Sequence, residues 1–214
     1  MSQIPSLVPS DRTHILLGLT GCAYISPPLR RAVEITKAKL LAAGHEVIEF
    51  IPYESREAAD IINKMWTADG GFEVQRDSDA TGEPLPGYVE DWLGHSSGVK
   101  AQTVFETWQN QHRRALLAEK FLARWQATEA QTGTGRPIDG LIMPSTPFPA
   151  IRHDGGYPWH YGALPPLLDL TTGVFPVTKV DLDKDKVPKD WQPISEKDKE
   201  VMDYCKLSAP ITVL

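Results

Sequence analysis

The sequence predicts an α/β protein with a mixed, largely parallel sheet covered by helices. Three observations predict it. A buried-strand pattern, His14-Ile15-Leu16-Leu17-Gly18-Leu19, precedes a helical pattern and a second strand pattern, Glu46 to Ile51. Two further strand-like runs, Ile138 to Met143 and Val174 to Val180, follow near the C-terminal end. Between them, residues 101–130 carry the longest helical periodicity of the chain. Strand–helix–strand alternation of this kind builds a parallel sheet through right-handed crossovers.

The elements can be justified in order. Residues 12–51 read as a β-α-β unit. Ser26 is placed as an N-cap, with Pro27 and Pro28 at the helix start. Leu29, Val33, Thr36 and Leu40 recur at helical spacing, and Gly44 stands where a helix ends. Ser55 to Met65 reads as another helix, ending at Asp69-Gly70-Gly71. Residues 71–100 are rich in Gly, Pro, Asp and Ser without periodicity and predict a long loop. In the long helix, Val104, Phe105, Trp108, Ala115, Leu116 and Leu122 mark the core face, widened by Leu117, Phe121 and Trp125. Trp66, Trp108 and Trp125 are expected in the core. Pro176 argues for an edge strand or a bulge at 174–180. Residues 181–190 predict a solvated, charged turn, and Ser195 caps a last helix running to about Cys205. The whole is expected to form one domain over residues 1–214.

Composition narrows the function classes. Over 214 residues, 41% hydrophobic and 23% charged residues describe an ordinary globular protein. A formal net charge of -6 gives no basic footprint, which argues against nucleic acid and anionic membranes as partners. Two cysteines, Cys22 and Cys205, are too few for a disulfide scaffold. The N-terminal MSQIPSLVPSDRTH lacks a basic region followed by an apolar core, so no secretory signal is expected. No apolar run is long enough to span a bilayer. The expectation is a soluble, cytoplasmic protein.

Ligands of parallel α/β sheets gather at the carboxyl ends of the strands. That rule singles out Pro144, Ser145, Thr146 and Pro147, with Trp159, Tyr161, Leu168 and Thr171 close by in sequence, as a pocket wall. Other candidates are weaker. Gly94-His95-Ser96-Ser97-Gly98 matches the G-x-S-x-G pattern of a nucleophile elbow, which would make Ser96 a nucleophile with His112 or His153 as base. The elbow needs a buried strand before it, and Val89 to Leu93 is a mixed polar stretch, so a solvated turn is the simpler reading. His153, Asp154 and His160 show no recognised metal-ligand spacing. Gly18-Leu19-Thr20-Gly21 lacks the dinucleotide fingerprint. No metal or cofactor is expected.

Several segments resemble, in order, the C-terminal part of amidase-signature enzymes, especially the fungal acetamidase-like branch. They are Pro27-Pro28-Leu29-Arg30-Arg31-Ala32 with Ala42-Ala43-Gly44-His45-Glu46-Val47, then Thr67-Ala68-Asp69-Gly70-Gly71 with Gly82-Glu83-Pro84. Asp139-Gly140-Leu141-Ile142-Met143-Pro144 and Val174-Phe175-Pro176-Val177-Thr178-Lys179-Val180-Asp181 continue the series. The resemblance implies hydrolysis of carboxylic amides by a Ser nucleophile, a bridging cis-Ser and a Lys base. In the family those residues lie upstream of the matched region, so none is carried over onto this sequence. The expectation is a truncated amidase, inactive alone, whose residues 144–147 help line the channel for the acyl portion of a small amide. A serine hydrolase using Ser96 and a non-catalytic binding protein on the same scaffold are the alternatives. Self-association, or a partner chain over an exposed sheet edge, is expected of such a portion. Pro165-Pro166 departs from the family, where this segment is helical, because adjacent prolines disrupt a helix interior.

Overall fold

The computed structural model describes residues 13–17, 25–50, 55–93, 100–150 and 160–193, together with Glu196, Lys199, Met202, Thr212 and Val213. The β-α-β unit is present as β1 (Thr13–Leu17), α1 (Pro27–Ala42) and β2 (Glu46–Phe50). β2 runs parallel to β1, with Thr13 opposite Glu46 and Leu17 opposite Phe50. On its other side β1 pairs in parallel with β3 (Gly140–Ile142), giving the order β2-β1-β3. β4 (Thr178–Lys179) and β5 (Thr212–Val213) form a separate antiparallel ladder. The fold is α/β, with two small sheets among the described residues where the sequence predicts one. The run at 174–180 shrinks to two paired residues, consistent with Pro176, which has no N–H to give a ladder.

Helices α2 (Ser55–Trp66), α5 (Val104–Ala127) and α7 (His160–Leu167) pack together over the sheet. Their apolar sides form the main core around Phe50, Ile61, Leu117, Phe121, Ile138 and Leu164. Phe121 meets the Phe50 ring edge-on at 6.0 Å between centroids. A smaller cluster joins Leu29 and Ala32 of α1 to Val180. Polar ties also link α2 to α5: Arg113 donates to Asp60 at 3.0 Å and pairs with Glu57 at 3.6 Å.

Residues 71–100 are not the long loop the sequence predicts. They hold α3 (Phe72–Thr81) and α4 (Gly87–Leu93). α3 has no buried residue, so no apolar period announces it. Instead, the Asp69 carboxylate accepts from the N–H groups of Gly71 (2.9 Å) and Glu73 (2.8 Å), capping the helix start. Those bonds hold the Asp69 carboxyl below its ordinary range. Gly70 and Gly71 turn the chain at φ 75° and 82°. At Gly70 a Cβ would lie 2.7 Å from the Ala101 nitrogen, so only glycine fits this crossing.

The long helix is oriented differently from the prediction. Leu117 and Phe121 face the core, whereas Val104, Phe105, Trp108, Leu116 and Leu122 are exposed, as is Trp66 on α2. Trp108 and Leu117 are nine residues apart, about 2.5 turns, and so point in opposite directions. The helix has two apolar sides, and the sequence reading had merged them. A short helix, α6 (Glu129–Thr132), follows it.

The charged stretch 181–190 also departs from the expected solvated turn. The Asp185 side chain is only 2% exposed and grips Arg31 of α1. Arg31 Nε and Nη2 donate to its two oxygens at 2.7 and 2.8 Å. Arg31 further donates to the Thr178 hydroxyl (3.1 Å) and the Lys179 carbonyl (2.7 Å), locking the ladder onto α1. Burial alone would raise the Asp185 carboxyl. The Arg31 bonds, the Asp181 N–H and the Arg31 charge outweigh it and hold the group below its ordinary range. Of the expected last helix, Glu196, Lys199 and Met202 are helical, while Ser195 and Cys205 lie outside the described residues.

Candidate functional site

A hollow of about 760 Å³ opens where β3 ends, between α1, α7 and the segment after it. Three local devices place its walls. The first fixes β3. The Thr128 hydroxyl, buried between α5 and α6, accepts from the Ile138 N–H at 3.0 Å and donates to the Trp125 carbonyl at 2.6 Å. The second fixes the turn after β3: the Ser26 N–H at the head of α1 donates to the Pro147 carbonyl at 2.8 Å. The third fixes α7. Arg114 of α5 donates to the Leu167 carbonyl at 2.6 Å and pairs with Asp169, which holds a left-handed φ of 54°.

α7 contains both Pro165 and Pro166, against the expectation that they would break a helix. The helix is only eight residues long, a little over two turns, and the prolines stand sixth and seventh in it, so they cost two helical N–H donors in its last turn and leave no further helix to kink. Pro166 leaves the carbonyl of Gly162 without its usual helical donor. Gly162 lines the hollow, and a Cβ there would stand 3.4 Å from the Ser145 carbonyl.

The structure brings Pro144, Ser145, Tyr161 and Thr171 to the wall of the hollow. Thr146, Pro147 and Leu168 stand apart from it. The Thr146 hydroxyl donates to the Phe148 carbonyl, Pro147 is buried under Ser26, and Leu168 packs against the main core. Trp159, Ser96, His153 and Asp154 lie outside the described residues, as does the side chain of His160.

Sequence reasoning missed the opposite wall, formed by Leu29, Ala32, Val33 and Thr36 of α1. The helical spacing of Leu29, Val33 and Thr36 is visible in the sequence, but spacing alone does not say that this side of α1 lines a hollow. Val174 and Phe175 were assigned to a strand and instead form an exposed rim. Among the described residues the lining is mostly apolar, with hydroxyl-bearing side chains at Thr36, Ser145, Tyr161, Thr171 and Thr172, and Asp139 as the one charged residue. Among the described lining residues there is no Lys, His or Arg. Among the described residues no group of His, Cys, Asp and Glu could hold a metal, and no helix is long and apolar enough to cross a membrane. Such a hollow can hold an uncharged organic group and offer it a few hydrogen bonds; the one ionised group among its described lining residues is the Asp139 carboxylate, which is paired with Arg136.

A short parallel sheet ending on an apolar, sparsely polar hollow defines an α/β protein with a cavity of the size and lining that suit a small organic group. Comparison with known proteins gives the lineage. The pattern of the Amidase family matches residues 17–211, so the chain belongs to the amidase family. It is 69% identical over 166 residues to the putative amidase kk1C of Curvularia clavata, covering 78% of this chain and 31% of that protein. It is 36% identical over 172 residues to the acetamidase of Emericella nidulans, covering 80% of this chain and 31% of that one. The chain thus spans about a third of the length of these relatives. Its fold is similar to that of a fatty acid amide hydrolase, with TM-score 0.77 and 22% identity, over 95% of this chain and 36% of the other.

Proposed function

We propose that the chain receives the organic portion of a carboxylic amide in the hollow beside β3, as one wall of an amide-hydrolase site, and does not hydrolyse amides by itself. The observation that carries this reading is the lining: about 760 Å³ of apolar space with hydroxyls but no Lys or His among its described residues. Amide hydrolysis needs a nucleophile, a base to take its proton and donors for the developing oxyanion. Hydroxyls and backbone groups at Ser145, Gly162 and Thr171 suit the recognition of an amide. Among the described lining residues no Lys or His stands beside them to activate a nucleophile, and the Asp139 carboxylate is engaged by Arg136.

The experiment pairs binding with turnover. Calorimetric titration of the chain with a medium-chain aliphatic amide is expected to show binding, weakened at least about tenfold by Ala32→Trp, which fills the hollow. The same amide is expected to release no ammonia, and a fluorophosphonate probe to leave the chain unlabelled. Absence of binding sinks the pocket assignment. Labelling and turnover that vanish in Ser96→Ala would establish a serine hydrolase instead.

A further inference from the structure

We infer that the organic portion held in the hollow is itself an extended, peptide-like chain, whose internal amide pairs with the open edge of β3 as an added strand would. This deepens the reading of the hollow as an amide site and rests on it. Three observations set a strand edge, rather than a sheet face, against the hollow. β3 runs parallel to β1 on one side and borders no other strand among the described residues. Successive side chains of a strand point to opposite faces, so a cavity over one face meets alternate residues. This hollow instead meets every residue from 139 to 145 in turn, including Leu141 and Met143, which also pack against the main core. Finally, α1 and α7 both wall the hollow, yet their apolar residues belong to separate clusters.

The chemistry of an edge selects the ligand. An edge strand presents N–H and C=O groups that no neighbour satisfies, and alternate residues of β3 turn theirs away from β1. Gly162 adds an acceptor to the wall, since Pro166 has no N–H to give its carbonyl. A second consecutive run, residues 170–175, lines the hollow in neither helix nor strand. A purely aliphatic portion would cover these backbone groups without giving them partners, which is unfavourable for any buried N–H or C=O. An internal amide brings one N–H and one C=O, the pair that an edge can match. Strand addition of this kind takes affinity from main-chain bonds and selectivity from side-chain pockets. The three residues of β3 span roughly 10 Å, room for an acylated dipeptide amide. The apolar walls, with Ala32 and Val33 of α1 and Pro165 and Pro166 of α7, suit aliphatic side chains on it.

Calorimetric titration of the whole chain with N-acetyl-leucyl-leucinamide tests it, beside an analogue in which esters replace both internal amides. The esters keep the shape and lose the N–H donors, so no change to the protein is needed. The peptide amide is expected to bind at least about tenfold tighter than the ester, the effect of one or two net hydrogen bonds. Backbone hydrogen exchange at Gly140, Leu141 and Ile142 is expected to slow with the peptide amide and to change less with the ester. An ester that binds as tightly as the peptide overturns the pairing with β3. So does a medium-chain aliphatic amide that binds while the peptide does not; in both cases the hollow stands as an amide site. Tight peptide binding that leaves exchange along β3 unchanged also overturns it, because the preference then arises elsewhere. If neither the peptide nor the aliphatic amide binds, the amide site itself falls and the pairing with it.

Discussion

Replacing Arg31 with Leu removes the clamp that ties α1 to the 178–185 segment. Four hydrogen bonds disappear, two of them in a bidentate pair with Asp185 at 2.7 and 2.8 Å. What remains around the Asp185 carboxylate, at 2% side-chain exposure, is the N–H of Asp181 at 2.8 Å. Leaving a buried charge without its partner costs about 3–5 kcal/mol. Arg31 keeps an edge in solvent, with 21% of its side chain exposed, and the backbone N–H persists, so the lower end, about 3 kcal/mol, is expected. Urea unfolding of the whole chain should show this as a lower midpoint at unchanged slope. Asp185→Ala leaves the partly solvated Arg31 behind, and the Arg31→Leu/Asp185→Ala double variant should be more stable than Arg31→Leu alone. The pH dependence has a definite sign. Because the folded-state carboxyl is depressed, its stabilisation is complete above the ordinary value of about 3.9 and is lost as pH falls through the lower folded value. The gap between wild type and Arg31→Leu should therefore be full at neutral pH and narrow in acid. A loss under about 1 kcal/mol, or a gap that persists unchanged into acid, would refute the assignment of the pair as a buried clamp.

Two further substitutions probe how the site is held. Gly70→Ala should cost about 2 kcal/mol or more, combining a left-handed φ with a 2.7 Å approach to the Ala101 nitrogen; thermal melting that matches wild type would show that the crossing is soft. Thr128→Val keeps the shape but orphans the buried Ile138 N–H, at about 1–3 kcal/mol. Hydrogen exchange should then quicken at Ile138 and along β3, and unchanged protection there would argue that another acceptor takes over.

How much of this was legible follows from what each element is made of. The β-α-β unit was readable because β1 is a short apolar run, β2 carries Val47, Ile48 and Phe50 between turn signals, and the helix has prolines at its first turn and Gly44 beyond its last. α3 was hidden because its stability comes from one carboxylate and two glycines rather than from burial. The facing of α5 was misread because a helical wheel shows two apolar stripes without saying which meets the core. Half of the hollow followed from the strand-end rule. The other half comes from α1, whose residues serve both a wall and a core. Asp185 sat in a charge-rich run, and no composition argument separates one buried carboxylate from its solvated neighbours.

The double-sided character of α5 also bears on how the chain reaches this structure. A helix with apolar residues on opposite sides can be docked by a collapsing chain in two rotational settings of similar hydrophobic gain, which is a source of frustration. The polar anchors break the tie. Asn110 reaches Gln102 at 2.9 Å, Arg113 reaches Asp60, and Arg114 reaches the Leu167 carbonyl only when Leu117 and Phe121 point inward. Rotated half a turn, the helix would bury Trp108 and leave both arginines far from their acceptors. In the native structure these arginines therefore fit one of the two settings, the one that buries Leu117 and Phe121, where the apolar pattern alone would fit either.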